Sequence, residues 1–191
     1  MIERDLKILQ FITTVRVCTT EQVKKVLFKD VSKRICYRRL TSLVDSKLLK
    51  RSYYHINNKN VYVYYTDKKP SKRNLKHDLL ITELYVRLMQ NEYEVISFEK
   101  TPKIVDIVPD VIVSFKNNKV RKSIFVEIQL SQHDCIKKYF NIKRKIINKT
   151  KMKHIPDTLY IVTDNNDLQV QKLKDLNIII DNINFDKLNI F

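Results

Sequence analysis

The sequence predicts an α+β chain built in two parts, a module of three helices and a hairpin followed by an α/β domain. Three observations lead there. Apolar residues return at helical spacing in three short segments before residue 47, then alternate through two short runs separated by Asn57-Asn58-Lys59-Asn60. Beyond residue 77, strand-like and helical apolar segments follow one another to the end of the chain. Charge divides along the same line: residues 1–76 carry 19 Lys/Arg against 6 Asp/Glu, and residues 77–191 carry 18 against 15, so most of the +16 net charge lies in the first part.

Composition bounds the rest. A chain of 191 residues with 43% apolar content has enough material for a real core. No apolar run approaches the roughly 18 residues of a membrane span, and no signal-peptide layout opens the sequence, so a cytoplasmic protein without membrane contact is expected. Cys18, Cys36 and Cys135 form no Cys-x-x-Cys pair, which favours reduced thiols over a zinc ribbon or disulfide framework. Glycine and alanine are both absent. Without glycine there is no phosphate-cradling loop and no dinucleotide-binding turn, which excludes ATPases and nicotinamide enzymes of the usual kinds. Plentiful Lys, Asn, Ile, Tyr and Phe beside missing Gly, Ala and Trp fit a very AT-rich gene, as in a low-GC bacterium, its plasmid or its phage.

A first helix spans roughly Glu3 to Thr13, with Ile2, Leu6, Leu9 and Ile8 or Ile12 as its apolar stripe. The second opens on Thr19-Thr20-Glu21-Gln22, a Thr-x-x-Gln capping box, and continues through Val23 and Val26 to Leu27. Asp30 or Ser32 caps a third, which reaches about Ser46. On it Cys36, Leu40 and Leu43 share an apolar face, while Arg34, Arg38 and Thr41 lie opposite with Tyr37 to one side. Residues 48–56 and 61–65 then read as strands joined by an asparagine-rich turn, whose residues tolerate the positive φ that glycine would otherwise supply. This is the layout of a winged helix-turn-helix over residues 1–67. Its third helix is equipped to enter the major groove of double-stranded DNA through Lys33, Arg34, Tyr37, Arg38 and Thr41, with Lys50, Arg51 and Lys59 of the wing reaching backbone or minor groove. Its tyrosines are expected as hairpin packing. Residues 68–76 read as a basic linker.

The second part, residues 77–191, is expected to begin with a helix from Asn74 to Met89 whose buried stripe is Leu75, Leu79, Leu80, Leu84 and Leu88. Strands follow near residues 93–100, 111–115 and 124–130, then a basic helix from Asp134 to about Asn148. A strand at 159–162, a helix at 168–176 and a strand at 178–180 complete the order. From 116 to 153 there are 12 basic and 2 acidic residues, which suits a second nucleic-acid contact. Asp110 at the mouth of one strand and Glu127 inside the next sit where carboxylates are costly, and Gln129 shares the face of Glu127. Carboxylates on adjacent strands can together hold Mg²⁺ or Mn²⁺ and so support attack on a phosphodiester.

Pro109-Asp110 followed by Glu127-x-Gln129, in this order of elements, resembles the PD-(D/E)xK nuclease superfamily. That resemblance implies Asp110 and Glu127 as metal ligands and, in place of Gln129, a lysine that orients the attacking water. The whole chain, with His77-Asp78-Leu79 opening a helix and Lys138-Tyr139 after the third strand, resembles the replication-relaxation family, associated with plasmid replication and DNA mobilisation. By that resemblance His77, Asp110, Glu127 and Tyr139 line one site. Glu83 is a further candidate ligand, weighed against a solvated helix glutamate.

The expected function is sequence-specific binding of double-stranded DNA in plasmid or mobile-element replication or transfer, with a degenerate nuclease-like domain and a possible homodimer. The alternatives are a metal-dependent endonuclease or nickase using Asp110 and Glu127, and a transcriptional repressor whose second domain senses a ligand or dimerises. A relaxase of the paired-histidine type is disfavoured because His55, His77, His133 and His154 form no close pair in sequence. No His-x-x-Arg supports a tyrosine recombinase.

Overall fold

The computed structural model describes residues 2–56, 58–117, 120–130, 135–150, 154–165 and 173–188. The chain is a mixed α+β protein in two compact units, Met1–Gln90 and Asn91–Phe191. Among the described residues there are five α-helices and two sheets, and no helix is long and apolar enough to cross a membrane.

The first unit runs α1 (Glu3–Val15), β1 (Val17–Thr19), α2 (Thr20–Leu27), α3 (Lys33–Asp45), β2 (Lys50–Ile56), β3 (Lys59–Tyr65) and α4 (Leu75–Gln90). The buried stripe of α1 is Ile8, Phe11, Ile12 and Val15, whereas Ile2 and Leu6 stay exposed. The expected stripe thus holds at Ile8, Leu9 and Ile12 and fails in the first turn, where an acid is buried instead. Asp5 is 1% exposed, accepts from the Ile2 amide at 2.9 Å and is gripped through both oxygens by Arg39 of α3. Those Arg39 hydrogen bonds hold the Asp5 carboxyl below its usual range against the opposing cost of burial.

The capping box at α2 forms as its residues dictate: Gln22 N donates to Thr19 Oγ1 at 3.3 Å and Thr19 N donates to Gln22 Oε1 at 3.1 Å. Ser32 stands at the N-cap of α3, and Cys36, Leu40 and Leu43 are its buried face. Strands β1, β3 and β2 form an antiparallel sheet in that order. β1 went unread in the sequence, since three residues show no alternation. In the hairpin Ile56 pairs with Lys59 and His55 with Asn60, so the turn is two residues long. Asn58 takes φ 58°, the left-handed conformation that asparagine tolerates, and Asn57 lies outside the described residues.

α4 packs on α2 and β1 within this unit. Thr82 Oγ1 donates to Val17 O at 2.6 Å, and Gln22 Nε2 donates to Leu79 O at 2.9 Å. Glu83 pairs with Lys25 at 2.6 Å and with Arg87 at 3.3 Å. The sequence reading had opened the second domain with this helix, at residue 77. A leucine stripe announces a buried face without saying which sheet covers it, and here Val86 packs with Ile8, Phe11 and Leu40 and Leu75 packs with Val17, Tyr54 and Val63, all of the first unit.

The second unit is a five-stranded sheet in the order β4 (Glu94–Lys100), β5 (Val111–Asn117), β6 (Val120–Gln129), β7 (Thr158–Thr163), β8 (Asn177–Asn182). β4, β5 and β6 are antiparallel; β6, β7 and β8 are parallel, the β6-to-β7 crossover carrying a 3-10 turn at Lys137–Tyr139 and α5 (Ile142–Lys149). One sheet face, with Ile112, Phe125, Leu159 and Ile161, packs on Ile136, Tyr139, Ile142 and Ile146 of that crossover. The single basic helix read from residue 134 is instead two pieces, broken where Asn141 adopts φ 56°. Asp134 lies outside the described residues, as do His133, Lys151, Lys153 and residues 168–172 of the expected helix at 168–176, whose described residues 173–176 are not helical.

Candidate functional site

Two groups of functional side chains are assembled, one in each unit. In the first, α3 is pinned through Cys36, Leu40 and Leu43, which turns Arg34 and Arg38 to solvent one helical turn apart. Among the described residues neither guanidinium makes a hydrogen bond or ion pair. Beside them, Arg51 of β2 reaches across to α3. Its Nη1 donates to Tyr37 Oη and Thr41 Oγ1, each at 3.3 Å, and its guanidinium lies 4.5 Å from the centre of the Tyr62 ring. Tyr62 also meets Tyr37 at 5.8 Å and Tyr53 at 5.2 Å between ring centres. Tyr37, Tyr53 and Tyr62 thus form a cluster of rings between α3 and the hairpin, with Tyr53 still exposed.

The other predicted cations differ in availability. Lys33 is paired with Glu21 at an exposed edge. Lys50 donates to Asp67 O at 2.9 Å, and Lys59 is exposed where the hairpin turns. A concavity of about 660 Å³ between α3 and β3 is lined by Lys33, Arg34, Tyr37, Lys59 and Tyr62 among others. A second, of about 580 Å³, runs along α3 past Arg34, Arg38, Thr41 and Asp45. Asp45 went unnoticed in the sequence, although its spacing from Arg34, Arg38 and Thr41 carries it on the same face. Two free guanidiniums above an uncluttered groove are equipped to donate paired hydrogen bonds to phosphate oxygens or to a base edge with two acceptors.

The second group lies where β5 meets β6. Val111 pairs with Val126, which brings the preceding Asp110 beside Glu127. Asp110 Oδ2 accepts from the Ile128 amide at 2.8 Å. Glu127 is 5% exposed, and its Oε1 accepts from the Tyr139 hydroxyl and from Lys138 Nζ, the latter at 2.8 Å. Burial, and then the neighbouring Asp110 carboxylate, push the Glu127 carboxyl above its usual range despite the opposing pull of Lys138 and Tyr139. Burial, and then Glu127 itself, push the Tyr139 hydroxyl up. Gln129, on the face of Glu127, accepts from Cys135 Sγ at 2.8 Å.

Of the residues expected to line one site, Asp110, Glu127 and Tyr139 come together in the second unit, whereas His77 sits on α4 of the first. Glu83 is engaged with Lys25, Arg87 and Gln22 on α2 and α4, which leaves it in the first unit as well. Lys138 was visible in the sequence as part of a motif, but its contact with Glu127 was not, because eleven residues of chain separate them. Among the described residues no three His, Cys, Asp or Glu side chains are grouped so as to hold a metal ion.

Fold and charge together define a two-unit α+β protein whose first unit is strongly basic and presents arginines from an exposed helix. The family model described as replication-relaxation matches residues 9–69, from within α1 to just past β3, so the replication-relaxation resemblance holds over that segment. No curated protein and no solved structure matches the chain.

Proposed function

We propose that this is a sequence-specific double-stranded DNA-binding protein of a plasmid or mobile element, acting in its replication or transfer. Residues 1–67 serve as a winged helix with α3 in the major groove and the β2–β3 hairpin as the wing, and α4 braces them. The observation that carries this reading is the pair of exposed guanidiniums of Arg34 and Arg38, with no partner among the described residues, on a helix flanked by further cations. The family match over the same segment supports the replication or transfer context. Concentrated positive charge supplies the affinity for a polyanion, and the second unit, nuclease-like but degenerate, adds architecture, further basic contacts or a dimer surface. A gel-shift screen across the element's own intergenic repeats tests it: one repeat bound well above the rest is expected, and equal affinity for every sequence refutes the proposal.

One observation favours a second reading, a metal-dependent endonuclease. Gln129 lacks the positive charge such a site uses, yet Lys138 places an ammonium 2.8 Å from Glu127. Asp110 Oδ1 and Glu127 Oε2, the oxygens not accepting from Ile128, Tyr139 or Lys138, would be the ones to hold Mg²⁺ or Mn²⁺. When bound, such a cation lowers the pKa of water and polarises a phosphoryl oxygen. Lys138 would stabilise charge developing on the phosphate, and Tyr139 would orient Glu127 through its hydroxyl.

A further inference from the structure

The cations that reach α3 are of two kinds. Arg39 is committed to buried Asp5 and Lys33 to Glu21. Arg51 is held by Tyr37, Thr41 and the Tyr62 ring. Arg34 and Arg38 remain, exposed and unpartnered among the described residues. Four residues apart, they are displaced by about 6 Å along the helix axis, whereas base pairs repeat every ~3.4 Å. A helix lying along the groove therefore carries their guanidiniums over positions about two base pairs apart.

The chemistry of the face says what lies beneath them. Arg34 and Arg38 line one concavity with Thr41 and Asp45. With Asp45 beside the two arginines, that face is less favourable to the sugar-phosphate backbone than a purely cationic one. It suits base edges, where a carboxylate accepts from an amino group such as that of cytosine. A guanidinium fork needs two adjacent acceptors. Guanine presents N7 and O6 in the major groove, adenine an acceptor beside a donor, and thymine an acceptor beside a methyl group.

Resting on the DNA-binding reading above, we infer that Arg34 and Arg38 are the specificity-determining residues and read two guanines about two base pairs apart, each through N7 and O6. Arg51 does not read; it fixes the hairpin against α3 through Tyr37, Thr41 and the Tyr62 ring.

The test uses the full chain and a duplex it selects from a random library. Each guanine of that duplex is replaced in turn by 7-deazaguanine, which lacks N7, and by inosine, which lacks only the minor-groove amino group. Two positions about two base pairs apart should lose roughly tenfold or more in affinity with 7-deazaguanine and change little with inosine. Arg34→Ala should abolish the sensitivity at one position and Arg38→Ala at the other, with circular dichroism spectra unchanged. A selected duplex indifferent to 7-deazaguanine, or one whose sensitivity survives both substitutions, overturns the inference and leaves sequence-specific binding standing. If no sequence is enriched, the DNA-binding reading itself fails and the inference falls with it.

Discussion

The guanidinium of Arg51 lies 4.5 Å from the ring centre of Tyr62, on the neighbouring strand, while its Nη1 donates to Tyr37 on α3. One side chain thereby ties hairpin to helix. Arg51→Ala removes a cation–π contact and two hydrogen bonds at a half-buried position and should cost about 1–2 kcal/mol, read by chemical denaturation. Arg51→Lys keeps the charge but not the planar fork, and should recover only part of the loss. A variant as stable as the parent would show that the hairpin needs no such tie.

The packing of α4 predicts where the first unit ends. A fragment of residues 1–90 should melt cooperatively, whereas one of residues 1–67 should lose that cooperativity or melt well below it. The shorter fragment lacks Leu75 and Val86 of the first unit's core and the bond from Thr82 to Val17. Thermal scans by circular dichroism decide it, and indistinguishable transitions would return α4 to the second unit.

Glu127 predicts a pH signature. Its folded-state carboxyl is raised above the ordinary 4.5, so below 4.5 the folded state gives nothing away. As pH rises from there through the folded value, the unfolded chain releases the proton more readily and stability falls. Glu127→Gln abolishes that loss, so its melting temperature relative to the parent should rise between pH 4 and neutrality. Equal differences at both ends of that range would mean Lys138 and Tyr139 offset the burial entirely.

For the carboxylate pair, supercoiled plasmid incubated with the protein and Mg²⁺ or Mn²⁺ should keep its topology if the second unit is degenerate. Nicking that vanishes in Asp110→Ala, Glu127→Ala and Lys138→Met would establish the endonuclease reading, and nicking that survives all three would point to a contaminant.

Local signals were legible in the sequence, and long-range ones were not. The Thr19–Gln22 capping box, the apolar face of α3 and the asparagine turn each involve residues within one turn of chain, and each forms where the residues dictate. The partners of α4 were illegible because a stripe of leucines fits any apolar surface. Only the first turn of α1 was misread, because a buried Asp5 satisfied by Arg39, 34 residues away, breaks the polar-outside rule. In the candidate sites, Asp110 and Glu127 stood out as carboxylates in apolar strands, and alternation put Gln129 beside them. That Arg51 is engaged while Arg34 and Arg38 are free depends on how the hairpin folds back on α3, which no spacing encodes.

The most direct measurement of the central claim is a fluorescence-anisotropy titration of the full chain and of Arg34→Ala/Arg38→Ala against the preferred repeat and a scrambled duplex. The parent should prefer the repeat, and the double variant should bind both duplexes with the weak, salt-sensitive affinity of non-specific contact. A double variant that keeps the parent's preference would contradict the assignment of α3 as the DNA-reading helix.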